Sequence, residues 1–278
     1  MTMLQIVVLA VIQGLTEFLP VSSSAHLIFP GQLLGWPDQG LAFDVAVHVG
    51  TLFAVIFYYL ADLIKITTFT LESMVTRRQT PMSHIGWCLT IATIPVIVAG
   101  FMLEDHIATV ARSIEVIAYT TIGYGILLGL ASAVNRKMVW RTISNVQGER
   151  SDTLRHLTMQ QAFVIGMAQM LALVPGTSRS GITLTAGLFM GMRPEAAARF
   201  SFLLSIPVIL GSGILEGTKL YEEGIGGASM MQMFIGAVIS FLVAILVIHF
   251  FMKFIAKSGM AVFVIYRILL GSLLLMLF

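Results

Sequence analysis

The chain has 278 residues, of which 57% are hydrophobic and only 11% charged, and its mean hydropathy is +0.93. So little polar surface cannot cover a soluble globule, so the composition describes a polytopic membrane protein and excludes a soluble enzyme. A net charge of +2 gives no reason to expect nucleic acid as a partner, and the single cysteine, Cys88, excludes an intrachain disulfide framework or a CxxC metal or redox site.

The first apolar stretch, Leu4 to Val11, has no basic segment before it and runs into Gln13 and Glu17 instead of a small-residue cleavage site. It therefore reads as mature structure and not as a signal peptide. The region of roughly 3–35 is apolar but broken, and its centre, Gln13 to His26, reads QGLTEFLPVSSSAH. Gln13 and Glu17 are four apart, hence on one helical face. Pro20 ends that half-helix. Ser22, Ser23 and Ser24 then stand where a second half-helix begins, offering caps, hydroxyl nucleophiles or contacts to metal and phosphate. His26 follows within a turn. Ionisable groups at membrane depth are expensive and mark a functional site by default. The plainer reading has the serines capping a broken helix while Glu17 and His26 satisfy one another.

Apolar segments of spanning length follow near 41–60, 85–103 and 113–134, each close to the ~20 residues needed to cross the hydrocarbon core. Asp44 and His48, four apart at the head of the first, reach the cavity or pair with each other, and pairing is the expectation. A second broken region covers roughly 158–190, with QMLALVPGTSRSG from Gln169 to Gly181 at its centre. Gly176, Thr177, Ser178, Arg179 and Ser180 have the make-up of an anion cradle. Glycine allows close backbone approach, a helix N-terminus offers free N–H groups, and hydroxyls and a guanidinium add charge-assisted hydrogen bonds. Phosphate is the natural occupant; the plainer reading is a structural Arg179–Glu17 ion pair. Spans near 195–216, 230–252 and 258–278 complete the chain. Arg199 is expected to pair with Glu195 at the surface. Arg267, inside the last span, must find a partner or snorkel, and reads as structural unless a cavity reaches it.

Basic residues sort the loops. Lys65, Arg77 and Arg78, then Arg136, Lys137, Arg141, Arg150 and Arg155, then Lys253 and Lys257 mark three cytoplasmic loops, whereas 104–112 and 217–229 carry Glu104, Asp105, Glu222 and Glu223 and face outward. Both broken regions must then return to the side they entered from. They become re-entrant hairpins, the first from outside and the second from inside, with their polar tips facing near mid-membrane. Gly14, Glu17 and Leu19 recur as Gly166, Gln169 and Leu171 at equal offsets. The expected fold is thus an all-α polytopic membrane protein with an inverted-topology repeat, each half a re-entrant helical hairpin plus three transmembrane helices. It forms one domain over 1–278, with repeat one at about 1–134, a basic cytoplasmic loop at about 135–157 and repeat two at about 158–278.

Through QGLTEFLPVSSSAH at 13–26 and PGTSRSG at 175–181, supported by FDVAVHVGTL at 43–52 and FSFLLSIP at 200–207, the chain resembles the bacterial undecaprenyl-diphosphate phosphatases of the bacitracin-resistance type over essentially its entire length. The resemblance implies a multi-pass inner-membrane enzyme that removes the terminal phosphate of undecaprenyl diphosphate. That would recycle the carrier lipid for peptidoglycan synthesis and confer bacitracin resistance, with the active site opening toward the periplasm. It places the family's acidic motif on Gln13 and Glu17, its histidine on His26, its serine-rich stretch on Ser22 to Ser24 and its arginine motif on Ser178 and Arg179. It also implies a divalent ion, Mg²⁺ with Ca²⁺ able to serve. Two departures stand out. Gln13 replaces the first carboxylate of the two-glutamate motif, so it offers a carbonyl oxygen without charge, and Ala25 stands where glycine is common.

The mechanism expected from these residues has Mg²⁺ on Glu17 with help from Gln13. Arg179 and the N–H groups around Ser178 hold the transferring phosphoryl, and Gln13, Ser22, Ser24, Gly176, Thr177, Ser178 and Ser180 bind substrate. Either Ser23 attacks with His26 as its base, or His26 and Glu17 activate water. The competing class is a transporter or flippase of the phosphorylated lipid, which needs the same cradle but no nucleophile or base. Expected partners are undecaprenyl diphosphate and membrane lipid, with an oligomer left open.

Overall fold

A computed structural model of the chain describes residues 1–110, 113–145, 154–223 and 229–277. Among the described residues every regular element is helical. The first broken region becomes two helices, α1 (Met3–Thr16) and α2 (Ser23–Leu34), and the second becomes α7 (Met159–Gln169), a 3-10 turn over Met170–Leu173 and α8 (Arg179–Phe189). The remaining helices are α3 (Leu41–Tyr58) followed by α4 (Leu60–Thr76), α5 (Pro81–Val110), α6 (Ile114–Asn145), α9 (Pro194–Glu223), α10 (Met230–Ser258) and α11 (Ala261–Leu277), the last a shorter apolar helix where a full span was expected. Five of these, α3, α5, α6, α9 and α10, contain a window long and apolar enough to cross a membrane.

Local chemistry starts the two broken regions in the same way. Thr2 and Gln5 form a capping box on α1, and Thr158 and Gln161 form another on α7, each satisfying two N–H groups that a helix leaves open. The spans outrun their apolar cores. The loops expected at 104–112, 135–157 and 217–229 are helical to Val110, Asn145 and Glu223, because nothing in those polar ends breaks a helix. Arg150, counted among the loop charges, lies outside the described residues.

Each half-helix is seated by a glycine. A Cβ on Gly14 of α1 would lie 2.8 Å from the Ser240 carbonyl of α10, and one on Gly166 of α7 would collide with the Ala92 backbone of α5. Small residues that let backbones approach are the usual way helices associate in lipid. The Arg199–Glu195 pairing expected at the surface is not formed. Arg199 reaches 2.6 Å to Asp62, tying α9 to α4, while Glu195 lies 4.0 Å from Arg193. A helical neighbour four residues away loses here to a carboxylate 137 positions distant that gives a shorter contact.

Candidate active site at the two hairpin turns

The turn between α1 and α2 and the turn before α8 meet inside the bundle, and they share an unusual backbone. Ser22 has φ 72° and ψ 103°, and Ser178 has φ 70° and ψ 112°. Non-glycine residues held there cost about 1–3 kcal/mol each and persist only where their surroundings over-determine them. Both serines cap the helix that follows. The Ser22 hydroxyl accepts from the Ala25 N–H at 3.4 Å and the Ser178 hydroxyl from the Gly181 N–H at 3.1 Å. Each also meets the hydroxyl two residues on, Ser24 at 3.0 Å and Ser180 at 3.2 Å.

Those second serines cross between the turns. The Gly176 N–H donates to Ser24 Oγ at 3.2 Å, and Ser180 Oγ donates to the Leu19 carbonyl at 2.8 Å. Gly176 sits at φ 87°, and a side chain there would collide with Ile117 and Thr120 of α6, so only glycine fits.

Glu17, buried at the end of α1, is the hub. Its Oε1 accepts from Arg179 NH2 at 2.7 Å. Its Oε2 accepts from Gln13 Nε2 at 2.9 Å and from Ser23 Oγ at 3.4 Å, and lies 3.7 Å from His48 Nε2. The Arg179–Glu17 ion pair therefore exists, but it does not exhaust the arginine. Arg179 NH1, Gln13 Oε1 and Thr177 Oγ1 are buried with no partner among the described residues. Buried polar atoms without partners are rare in folded proteins and ask for an explanation such as a ligand or ion. Here an orphan donor and an orphan acceptor flank one carboxylate.

A cavity of about 290 Å³ opens on these groups. Glu17, Ser22, Ser23, Ser24 and His48 form one side, and Gly176, Ser178 and Arg179 another, with Leu173, Val174, Val208 and Ile209 supplying apolar wall. A volume of this order suits a small anionic headgroup.

The turns bring together Gln13, Glu17, Ser22, Ser23, Ser24, Gly176, Ser178 and Arg179. Thr177 is fully buried beside them, and the Ser180 hydroxyl is spent on Leu19 and does not line the cavity. His26 is not brought to Glu17. Its Nδ1 lies 2.6 Å from the Ser22 carbonyl and its Nε2 2.6 Å from the Tyr266 hydroxyl of α11. A carbonyl only accepts, so Nδ1 donates and Nε2 takes the Tyr266 proton. The ring has no nitrogen left for Ser23, and it does not line the cavity.

His48 occupies that place instead. Its Nδ1 lies 2.7 Å from the Asp44 backbone carbonyl, and Asp44 Oδ1 accepts from Gln39 at 3.0 Å. The imidazole thus turns Nε2 toward Glu17. The expected local pairing with Asp44 survives as a backbone contact that orients the ring. The available signal was a lone imidazole inside an apolar span.

The residues fit a divalent ion only in a particular form. Gln13 Oε1 is a buried acceptor with no donor, the kind of atom a hard cation takes, and Glu17 is the adjacent carboxylate. Among the described residues no group of three His, Cys, Asp or Glu side chains converges. That suits Mg²⁺, which keeps waters and relies on one or two protein oxygens plus substrate phosphate. It does not suit a cage built by the protein alone.

Comparison with known proteins gives the family of the chain. The chain is 47% identical over 275 residues to the undecaprenyl-diphosphatase of Alteromonas mediterranea, covering 99% of this chain and 98% of that one. It is 49% identical over 275 residues to the undecaprenyl-diphosphatase of Chromohalobacter salexigens, with the same coverage. To that of Hahella chejuensis it is 49% identical over 273 residues, covering 98% and 97%. The model of the family described as bacitracin resistance protein BacA matches residues 6–273, so both turns and nearly every span lie inside the match and the chain belongs to that family.

Proposed function

We propose that the protein is an undecaprenyl-diphosphatase of the bacterial inner membrane, hydrolysing undecaprenyl diphosphate to undecaprenyl phosphate and phosphate, with its cavity opening toward the periplasmic side. One observation carries this reading. A serine hydroxyl, a carboxylate able to take its proton and a guanidinium with an unspent donor line a single cavity built from two separate turns. A path that only translocates a lipid phosphate needs the guanidinium but not the serine–carboxylate pair. The full-length likeness to three undecaprenyl-diphosphatases supports the same substrate.

The diphosphate headgroup enters the cavity and the isoprenoid chain stays among apolar side chains. Arg179 NH1 and the N–H groups at the start of α8 bind the terminal phosphoryl, where fixed donors aimed at developing charge provide most of the acceleration. Ser23 Oγ attacks the terminal phosphorus as its proton passes to Glu17, the acceptor 3.4 Å away. The bond to the bridging oxygen breaks and undecaprenyl phosphate leaves. Water then cleaves the phosphoserine, giving inorganic phosphate and restoring the serine. His48, beside the same Glu17 oxygen, holds that carboxylate toward Ser23. Glu17 and Gln13 Oε1 are the residues that would hold Mg²⁺, which would supply neutralisation of diphosphate charge. His26 acts through the first turn, by fixing the Ser22 carbonyl.

The matched serine backbones, the paired capping boxes and the two glycine seats support an inverted-topology repeat as the origin of the two turns. The catalytic reading is tested by quenching turnover of undecaprenyl diphosphate labelled in its terminal phosphate. A phosphoserine at position 23 is expected, absent in Ser23→Ala. Wild-type activity in Ser23→Ala would overturn the serine mechanism.

A further inference from the structure

Arg267 is 1% exposed, the largest fully buried side chain among the described residues, and no carboxylate lies within ion-pair distance of it. Taking a cation out of water costs several kcal/mol after relaxation, so a guanidinium kept there must be fully engaged. Its Nε donates to the Thr121 carbonyl of α6 at 3.1 Å, its NH1 to the Pro20 carbonyl of the first turn at 3.3 Å, and its NH2 to the Gly176 carbonyl of the second turn at 2.9 Å. Two glycines make room for it. A Cβ on Gly125 would lie 2.9 Å from Arg267 Cβ, and one on Gly181 would lie 3.1 Å from NH1.

The three carbonyls belong to three segments far apart in sequence, and two of them are the turns that form the cavity. Only the planar guanidinium offers donors in three fixed directions; an ammonium is a point charge on a flexible stem. The neighbouring residue works to the same end, since Tyr266 holds His26 and His26 holds the Ser22 carbonyl.

We propose that Arg267 is the positioning residue of this enzyme. From α11 it fixes the first turn, which carries Ser23, against the second, which carries Arg179, and its charge, with no carboxylate among the described residues within ion-pair distance, adds positive potential behind the phosphate cradle. This rests on the phosphatase reading for its kinetic consequence but not for its structural one. A shift of about 1 Å between reacting groups costs about 10²-fold, so the clamp acts on turnover more than on binding, which Arg179 and the lipid chain still supply.

The test compares wild type, Arg267→Lys and Asn135→Ala. Asn135 holds the Leu188 and Met192 carbonyls at the far end of α8, away from the cavity, and serves as a stability control. In Arg267→Lys, kcat per folded protein is expected to fall about 30- to 100-fold with KM within about threefold, whereas Asn135→Ala lowers melting temperature and leaves kcat within about twofold. A folded Arg267→Lys with kcat near wild type, or a kcat loss that Asn135→Ala matches at equal melting temperature, overturns the proposal.

A second readout needs no catalysis. With Cys88→Ala as background, nitroxides at Leu15 and Leu171, exposed positions near the two turns, report the separation between them. A narrow distance distribution that broadens in Arg267→Lys supports the clamp; an unchanged one overturns it. Broadening in a protein whose wild type releases no phosphate would uphold the clamp and remove the phosphatase reading alone.

Discussion

The two turns share a backbone and divide the chemistry. Each holds a serine at positive φ as the cap of a short helix, and each sends a second serine hydroxyl across to the other. Their charges differ. The first ends α1 on Glu17, a carboxylate with four polar neighbours. The second ends α7 on Gln169, an amide fully buried with neither polar atom partnered among the described residues, and carries its one charge on Arg179 after an added 3-10 turn. The contrast teaches that the same strained turn can aim different groups: one turn presents a serine hydroxyl and a carboxylate, the other a guanidinium.

The sharpest way to break this comparison is to remove the charge at Glu17. Glu17→Gln deletes the proposed proton acceptor and the counter-ion of Arg179 together, and the expected loss in kcat is about 10³-fold or more, read as phosphate release. Next comes Arg179→Lys, which keeps a charge but not the fork. A loss of about 10²-fold is expected, and full activity would mean that the orphan NH1 is not a substrate donor.

Smaller is His48→Asn, which removes Nε2 from the Glu17 carboxylate. About tenfold in kcat at nearly constant KM is expected, as for a residue that orients another. His26→Asn, which keeps a polar side chain at the first turn, separates the two histidines. Phosphoserine should still form in it, more slowly, because His26 acts through the Ser22 carbonyl; wild-type turnover would show that this contact has no part in catalysis. Smallest is Gln169→Leu, which replaces an unsatisfied amide by an apolar group of similar size. It should leave turnover unchanged and stabilise by about 1 kcal/mol, visible as a higher melting temperature. Lost activity there would show that the second turn carries catalytic polarity of its own.

Much of this was legible in the sequence for definite reasons. Hydropathy located the spans because lipid imposes length and apolarity on them, and Pro20, Pro175 and the serine runs located the breaks. Glu17, Ser23 and Arg179 were legible because such groups are costly at that depth. The facing of side chains was not legible. His26 lies within a turn of the serines, yet its ring goes to Tyr266, 240 positions away. Asp44 sits at helical spacing from His48 and concealed the longer-range contact to Glu17. Arg199 showed the same failing, since a local partner was available in sequence and a distant one won in space. Arg267 was expected to find a partner or snorkel, but nothing local revealed that its three carbonyls include both turns.

The central claim is that Glu17 and Arg179, 162 positions apart and joined at 2.7 Å, belong to one catalytic unit. The measurement that tests it most directly is a double-mutant cycle on phosphate release from undecaprenyl diphosphate, with wild type, Glu17→Gln, Arg179→Ala and the double variant purified in parallel. Groups acting as a unit are strongly non-additive, so the double variant should be no slower than the worse single. Fully additive losses, or appreciable turnover in either single variant, would contradict a site shared between the two turns.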